Sequence, residues 1–197
     1  MHKVFVSFYH HDDQGYKDAL VKWARDNKVF IDGSVDTGDI DDDNLTDEQN
    51  REIIRDEYLA DTTVTIVLVG PNTKKRKHVD WEIYSSMFDG KKNKKSGIIV
   101  IMLPETNCSY VHAAHGEQKT VFPDIENWTT LSEQEYDYRY PFMPKRLLKN
   151  IKSGAKISVT TWDRLDSDIF KMMIDDAYND RASCKYDFSL PMMRKNL

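Results

Sequence analysis

Glu82 has the setting in this chain that most invites chemistry. It follows an apolar β-branched run, Val64–Val69 (VTIVLV), a Gly70-Pro71-Asn72 break and a basic loop, Lys74–Lys77 (KKRK). It falls in the first turns of a helix expected to start near His78 or Val79. Val79, Ile83 and Met87, with Ser86, recur at helical spacing and mark the inward face, and Glu82 sits at that face's edge. A carboxylate so placed can stabilise the oxocarbenium-like cation that forms as a glycosidic bond breaks. It can equally do no more than favour the helix dipole. Spacing alone leaves both readings open.

Other reactive side chains are less organised. His10 and His11 titrate near neutrality, but adjacent side chains diverge, so a cooperating pair is not expected. Asp39, Asp41 and Asp43 alternate like the start of a calcium loop. The Gly turn is missing, however, and the twelfth position is Asn50 where that loop needs Glu. A solvated loop over Asp36–Asn44 and no metal site are expected. The clusters Lys74–Lys77 and Lys91–Lys95 bracket the Glu82 helix. Such runs are usually solvated faces, although the first precedes a helix N-terminus, where a pyrophosphate would be favoured. The chain has no GxxxxGK[ST], GxGxxG or GxSxG motif, which argues against a P-loop, a Rossmann dinucleotide site and a nucleophile elbow.

The elements that must position these residues alternate. Val4–Phe8 reads as a first strand. A polar loop at His10–Gln14 follows, with Asp12 or Asp13 as N-cap of a helix to Asp26 whose stripe is Tyr16, Leu20, Trp23 and Ala24. Val29–Ile31 is a short second strand. Thr46–Ala60 reads as a helix opened by a Thr46/Gln49 capping box, with Ile53, Ile54, Tyr58 and Leu59 inward. Val64–Val69 and Ile98–Leu103 are continuous apolar strands of the kind buried on both faces. Lys145–Ile151 resumes regular structure, Lys156–Thr161 is the last strand, and Asp163, Asp166 or Ser167 caps a final helix. This β-α alternation implies right-handed crossovers and a doubly wound, flavodoxin-like α/β fold. Its sheet is mainly parallel and five-stranded, with helices on both faces and a long insertion after the fourth strand. One domain is expected over 1–197, with core 1–103 and 145–180, insertion 104–144 and tail 181–197. The insertion is expected to pack on its own aromatics: Tyr110, Phe122, Trp128, Tyr136, Tyr138, Tyr140 and Phe142.

Composition narrows the class. Of 197 residues, 40% are hydrophobic and 31% charged, with a net charge of −5, so no nucleic-acid or anionic-membrane partner is expected. Two cysteines, Cys108 and Cys184, form no metal or disulfide pattern. The apolar runs are far short of a membrane span and MHKVFVSF leads directly into a strand, so a cytoplasmic setting is expected.

Several stretches resemble, in order, the TIR-like domain of Thoeris antiphage-defence proteins, the ThsB-like family. KVFVSFYHHDD resembles its opening strand and loop, and FIDGS its second strand. TTVTIVLVGPNTKKRKHVDWEI resembles its third strand, basic loop and catalytic helix, and GIIVIML the strand after it. The position four before the glutamate, commonly Trp, is His78 here, while Trp81 directly precedes Glu82. The resemblance implies a TIR-type fold and cleavage of the nicotinamide–ribose bond of NAD. Glu82 would be catalytic, with Ser7, Phe8, Tyr9, Asp32, Ser34 and His78 binding substrate. NAD would be substrate, with no cofactor and no metal. An aromatic at Phe8 or Tyr9 would stack on a ring of NAD, and Asp32 and Ser34 would bind ribose. It further implies a cyclic or modified ADP-ribose signal, self-association, a nucleotide-sensing effector downstream, and a gating or assembly role for Asp36–Asn44. A non-enzymatic adaptor acting through homotypic contacts is the main alternative. A related glycosyl-transferring enzyme would share the glutamate logic. A phospho-receiver would need an Asp where this chain has Val69-Gly70.

Overall fold

The computed structural model describes residues 1–34, 46–115 and 132–197. Its centre is a five-stranded, all-parallel sheet in the order β2-β1-β3-β4-β5. The strands are β1 (Lys3–Ser7), β2 (Ile31–Asp32), β3 (Val64–Val69), β4 (Gly97–Met102) and β5 (Ile157–Thr161). The helices are α1 (His10–Asp26), α2 (Asp47–Ile53, continued by a π-helical stretch Ile54–Tyr58), α3 (Lys77–Met87), α4 (Glu133–Arg139), α5 (Lys145–Lys152) and α6 (Ser167–Asp180). This is the doubly wound α/β architecture that the alternation demanded. Every residue of β3 and β4 is buried, as apolar runs covered on both faces must be.

Side chains alternate along each strand, so the two faces build separate cores. On one face Val4, Val6 and Phe8 of the β1 segment and Ile66 and Leu68 of β3 pack against Leu20 and Ala24 of α1 and Phe170, Met173 and Ile174 of α6. On the other, Val67 and Val69 of β3 and Val100 of β4 meet Val79, Ile83 and Met87 of α3 and Leu147 of α5. A third cluster on the α3 side joins Phe5, Ile54, Leu59, Trp81 and Met192. Gly97 lets α6 lie directly on β4: a Cβ there would meet the Ala177 carbonyl oxygen at 2.2 Å.

Several boundaries differ from expectation. Helix α1 begins at His10, with no loop before it, and Tyr9 caps it without a side-chain bond. Asp13 is therefore inside the helix and buried, not a cap. Strand β2 has only two residues, shifted to Ile31–Asp32. The Thr46/Gln49 box forms in both directions, at 2.9 and 3.2 Å, and Asp166 caps α6. Within the expected insertion, Tyr136 and Tyr140 pack into the α3-side core, whereas Tyr138 stays 75% exposed and Tyr110 37% exposed. Phe122 and Trp128 lie outside the described residues, as does Asp36–Asn44.

The tail after α6 has no regular structure, yet it is tied along the α3 side. Arg146 of α5 makes a buried bidentate pair with Asp80 of α3, at 2.8 and 2.9 Å. The same guanidinium donates to the carbonyls of Leu190 and Pro191, and the Met193 amide donates to Asp80. Trp81 Nε1 donates to the Met193 carbonyl at 2.7 Å, and the Leu197 amide to the Lys75 carbonyl at 3.0 Å. Removing one partner of a buried ion pair leaves the other charge desolvated. Arg146→Ala is expected to cost about 3–5 kcal/mol, read as a lower urea midpoint, while Arg146→Met combined with Asp80→Leu loses less than Arg146→Ala alone.

Candidate functional site

In a sheet of order 2-1-3-4-5 the chain leaves β1 on one side for β2 and returns on the other for β3. Ligands of such folds bind in the crevice beyond the carboxyl ends of the strands at that reversal. Ser7 is the last residue of β1 and is fully buried. By alternation it shares the α3-side face with Phe5. Helix α3 crosses this face, seated by the apolar contacts above and by a 2.8 Å hydrogen bond between the Thr65 and Ser86 hydroxyls.

The result is one short contact. The Ser7 hydroxyl donates to Glu82 Oε2 at 2.6 Å. Among the described residues, Ser7 is the one hydrogen-bond partner of Glu82. Glu82 is partly exposed as a residue, but its carboxyl group lies deep enough that loss of solvent pushes its pKa up to about 7, with the Ser7 bond pulling the other way. Among the described residues no neighbouring charge contributes to that shift. Near neutrality this carboxyl group exchanges its proton readily and, once ionised, is an uncompensated negative charge in a low-dielectric setting. Such a group can stabilise an adjacent developing cation far better than it could in water.

The other expected site residues are distributed around this contact. Tyr9 is partly exposed, and the Arg76 guanidinium covers its ring at 3.8 Å. His78 lies one turn before Glu82 on α3 and meets the Trp81 ring edge-on at 5.3 Å. Asp32 accepts the Ser34 amide at 2.9 Å and lies 3.5 Å from Lys17 Nζ, while Ser34 Oγ accepts the Val6 amide at 3.1 Å. Both residues therefore anchor the root of the loop after β2, and neither touches Glu82. Phe8 is a correction. It cannot share a wall with Ser7, because it points to the opposite face, where it is 5% exposed and stacks on His10 at 4.2 Å.

The loop between β3 and α3 is held by residues read otherwise in the sequence. Buried Asp13 of α1 accepts from Thr73 Oγ1 at 3.2 Å, and Thr73 Oγ1 accepts the Gly70 amide at 2.8 Å. A Cβ on Gly70 would meet Asp13 Oδ1 at 2.6 Å, so glycine is required for this close approach. Burial pushes the Asp13 pKa up to about 6. The basic run is largely structural: Lys74 donates to the Pro141 carbonyl, Lys75 to Asn72, and Arg76 caps Tyr9. In the second cluster Lys91 pairs with Glu52, and Lys95 donates to the Cys184 carbonyl. Among the described residues no helix is long and apolar enough to cross a membrane.

Residues 5–108 match the family model for the TIR-like domain of the Thoeris protein ThsB, a span of more than half the chain that runs from β1 past β4 and includes Ser7 and Glu82. No curated protein matches the chain.

The raised pKa of Glu82 has a stability consequence. A carboxyl group that ionises at higher pH when folded than when unfolded weakens the fold as pH rises through both values. Glu82→Gln removes that penalty. It is expected to raise stability by up to about 3 kcal/mol at pH 8, seen as a Tm several degrees higher, with the gain falling below about 1 kcal/mol at pH 5 and vanishing below the unfolded carboxyl value. Thermal unfolding of both proteins at the two pH values checks this.

Proposed function

The chain belongs to the TIR-like domain family of the Thoeris protein ThsB, which carries a role in antiphage defence, and from that premise we propose that it cleaves the nicotinamide–ribose bond of NAD. The observation that supports this reading is the Ser7–Glu82 contact: a desolvated carboxyl group that has no cationic partner among the described residues, at the carboxyl edge of the sheet. Departure of nicotinamide leaves positive charge on the anomeric carbon and ring oxygen of the ribose. Ionised Glu82 lowers the energy of that state, while Ser7, holding Oε2, leaves Oε1 to face the sugar. Tyr9 and its covering Arg76 offer a flat cationic surface for a ring and a phosphate, and His78 lines the approach along α3. Asp32 and Ser34 shape the neighbouring loop. NAD is then a substrate, and no cofactor or metal takes part.

The ADP-ribosyl group so released passes to water or to an internal nucleophile, giving a free, cyclic or modified ADP-ribose that a separate nucleotide-sensing effector reads. Homotypic contacts between copies of the domain support catalysis, and the protein works in the cytoplasm.

The test is nicotinamide release from NAD at high protein concentration. Glu82→Gln should lower the rate by about 10²–10³-fold, since it removes the charge that balances the transition state. Equal rates in both proteins would remove Glu82 from catalysis. Ionised Glu82 is the active form, so kcat/KM should rise with pH to a midpoint near 7 and level off above it. Ser7→Ala removes the bond that holds the Glu82 pKa down. Its profile should shift to higher pH, with activity lost at pH 7 partly regained at pH 9.

A further inference from the structure

A concavity of about 380 Å³ lies between the basic loop, the start of α5 and the tail. This is within the size range of small-molecule pockets, about 300–1,000 Å³. Glu82 does not line it. Its walls are apolar, from Pro144, Leu190, Met192 and Met193, and its floor includes the Asp80–Arg146 pair. Other lining residues are cationic: Lys74, Arg76, Lys145, Arg194 and Lys195.

Two features of those cations matter. The side chains of Lys145, Arg194 and Lys195 have no ion pair or hydrogen bond among the described residues. Arg76 Nε is buried and has no hydrogen-bond partner, although its guanidinium plane is used against Tyr9. The one side-chain carboxylate in the lining, Asp80, is already neutralised by Arg146 and the Met193 amide. A chain of net charge −5 thus places Lys145, Arg194 and Lys195, without an ion pair among the described residues, around one apolar hollow, beside an Arg76 that also feels Asp12. A ligand anionic at one end and apolar at the other fits this lining. Arginine and lysine take phosphate through charge-assisted bonds, and methionine thioethers and proline faces accept heteroaromatic rings.

We propose that this hollow binds an organic phosphate of nucleotide size, with its ring against Met192 and Met193 and its phosphates toward Arg76, Lys145, Arg194 and Lys195. Glu82 does not line this site; Arg76 is shared with the surface proposed for NAD, whereas Lys145, Arg194, Lys195, Met192 and Met193 belong to the hollow alone. A ligand there touches the start of α3 and the tail that binds Trp81, so its occupancy bears on the helix that carries Glu82.

ADP is the probe, because it has no nicotinamide–ribose bond and binding is read apart from any cleavage. With the methionine methyl groups ¹³C-labelled in the full chain, ADP should shift the Met192 and Met193 signals along one saturable curve. The double variant Arg194→Glu/Lys195→Glu should weaken that binding by at least about tenfold, and Arg194→Lys/Lys195→Arg should retain it. Both charge-altered residues are exposed, so folding is preserved. Static Met192 and Met193 signals at millimolar ADP overturn the proposal. So does unchanged affinity in the charge-reversed variant. Equal affinity for inorganic phosphate alone overturns the apolar half of the site.

Discussion

The hydrogen bond from Ser7 to Glu82 joins the end of the first strand to a helix that comes after the third, 75 residues later. It exists only because α3 lies across β1 and β3 at one setting. Val79, Ile83 and Met87 fix that setting from below, the Thr65–Ser86 bond fixes it along the helix, and Asp80 holds it from the side. A small slide of α3 along its axis would break a 2.6 Å contact, since such bonds weaken steeply with distance and angle. The chemistry proposed for Glu82 is therefore a property of helix packing before it is a property of a residue.

Two carboxylates two positions apart on α3 show how environment divides the roles. Asp80 is buried and met by a bidentate guanidinium and a backbone amide, so its charge is fully answered and its work is structural. Glu82 is given one neutral hydroxyl, and its ionisation is pushed up to about 7 by burial. A charge already satisfied has nothing left for a transition state, whereas a charge kept short of partners gains most when a cation forms beside it. The arrangement lowers the stability of the fold wherever Glu82 is ionised.

Much of the architecture was legible because it rests on local pattern. The uninterrupted β-branched runs of β3 and β4, the Val79/Ile83/Met87 stripe, the Thr46/Gln49 box and the Asp166 cap each satisfy a short-range physical need, and each forms in the structure. What was missed is long-range or lacks a sequence signature. Helix α1 starts early because His10 to Asp13 enter it without a capping side chain. Arg55 and Arg146 are buried cations that no pattern marks, the first bonded to Ser96 and the carbonyls of Asn93 and Lys94, the second to a partner 66 residues away. Glu82 was singled out by position, but its catalytic reading came from family resemblance, since spacing could not separate it from dipole stabilisation. Strand period two continued past Ser7 sets Phe8 with the opposite, α1-side core.

The tail explains why α3 can carry an unsatisfied charge without drifting to relieve it. At its first turn α3 is held by the Asn196 side chain, which accepts the Lys77 amide, and the loop before it by the Leu197 amide on the Lys75 carbonyl. One turn on, Trp81 and Asp80 are both bonded to Met193, and Met192 fills the cluster beneath Trp81. These contacts, with Trp81 and Met192 packed on Phe5, brace the helix against the first strand. A site that must hold a carboxylate within about half an ångström of its working position needs such support behind the reacting group. Here that support comes from the far end of the chain, in a segment with no helix or strand of its own, held mainly by side chains reaching its backbone.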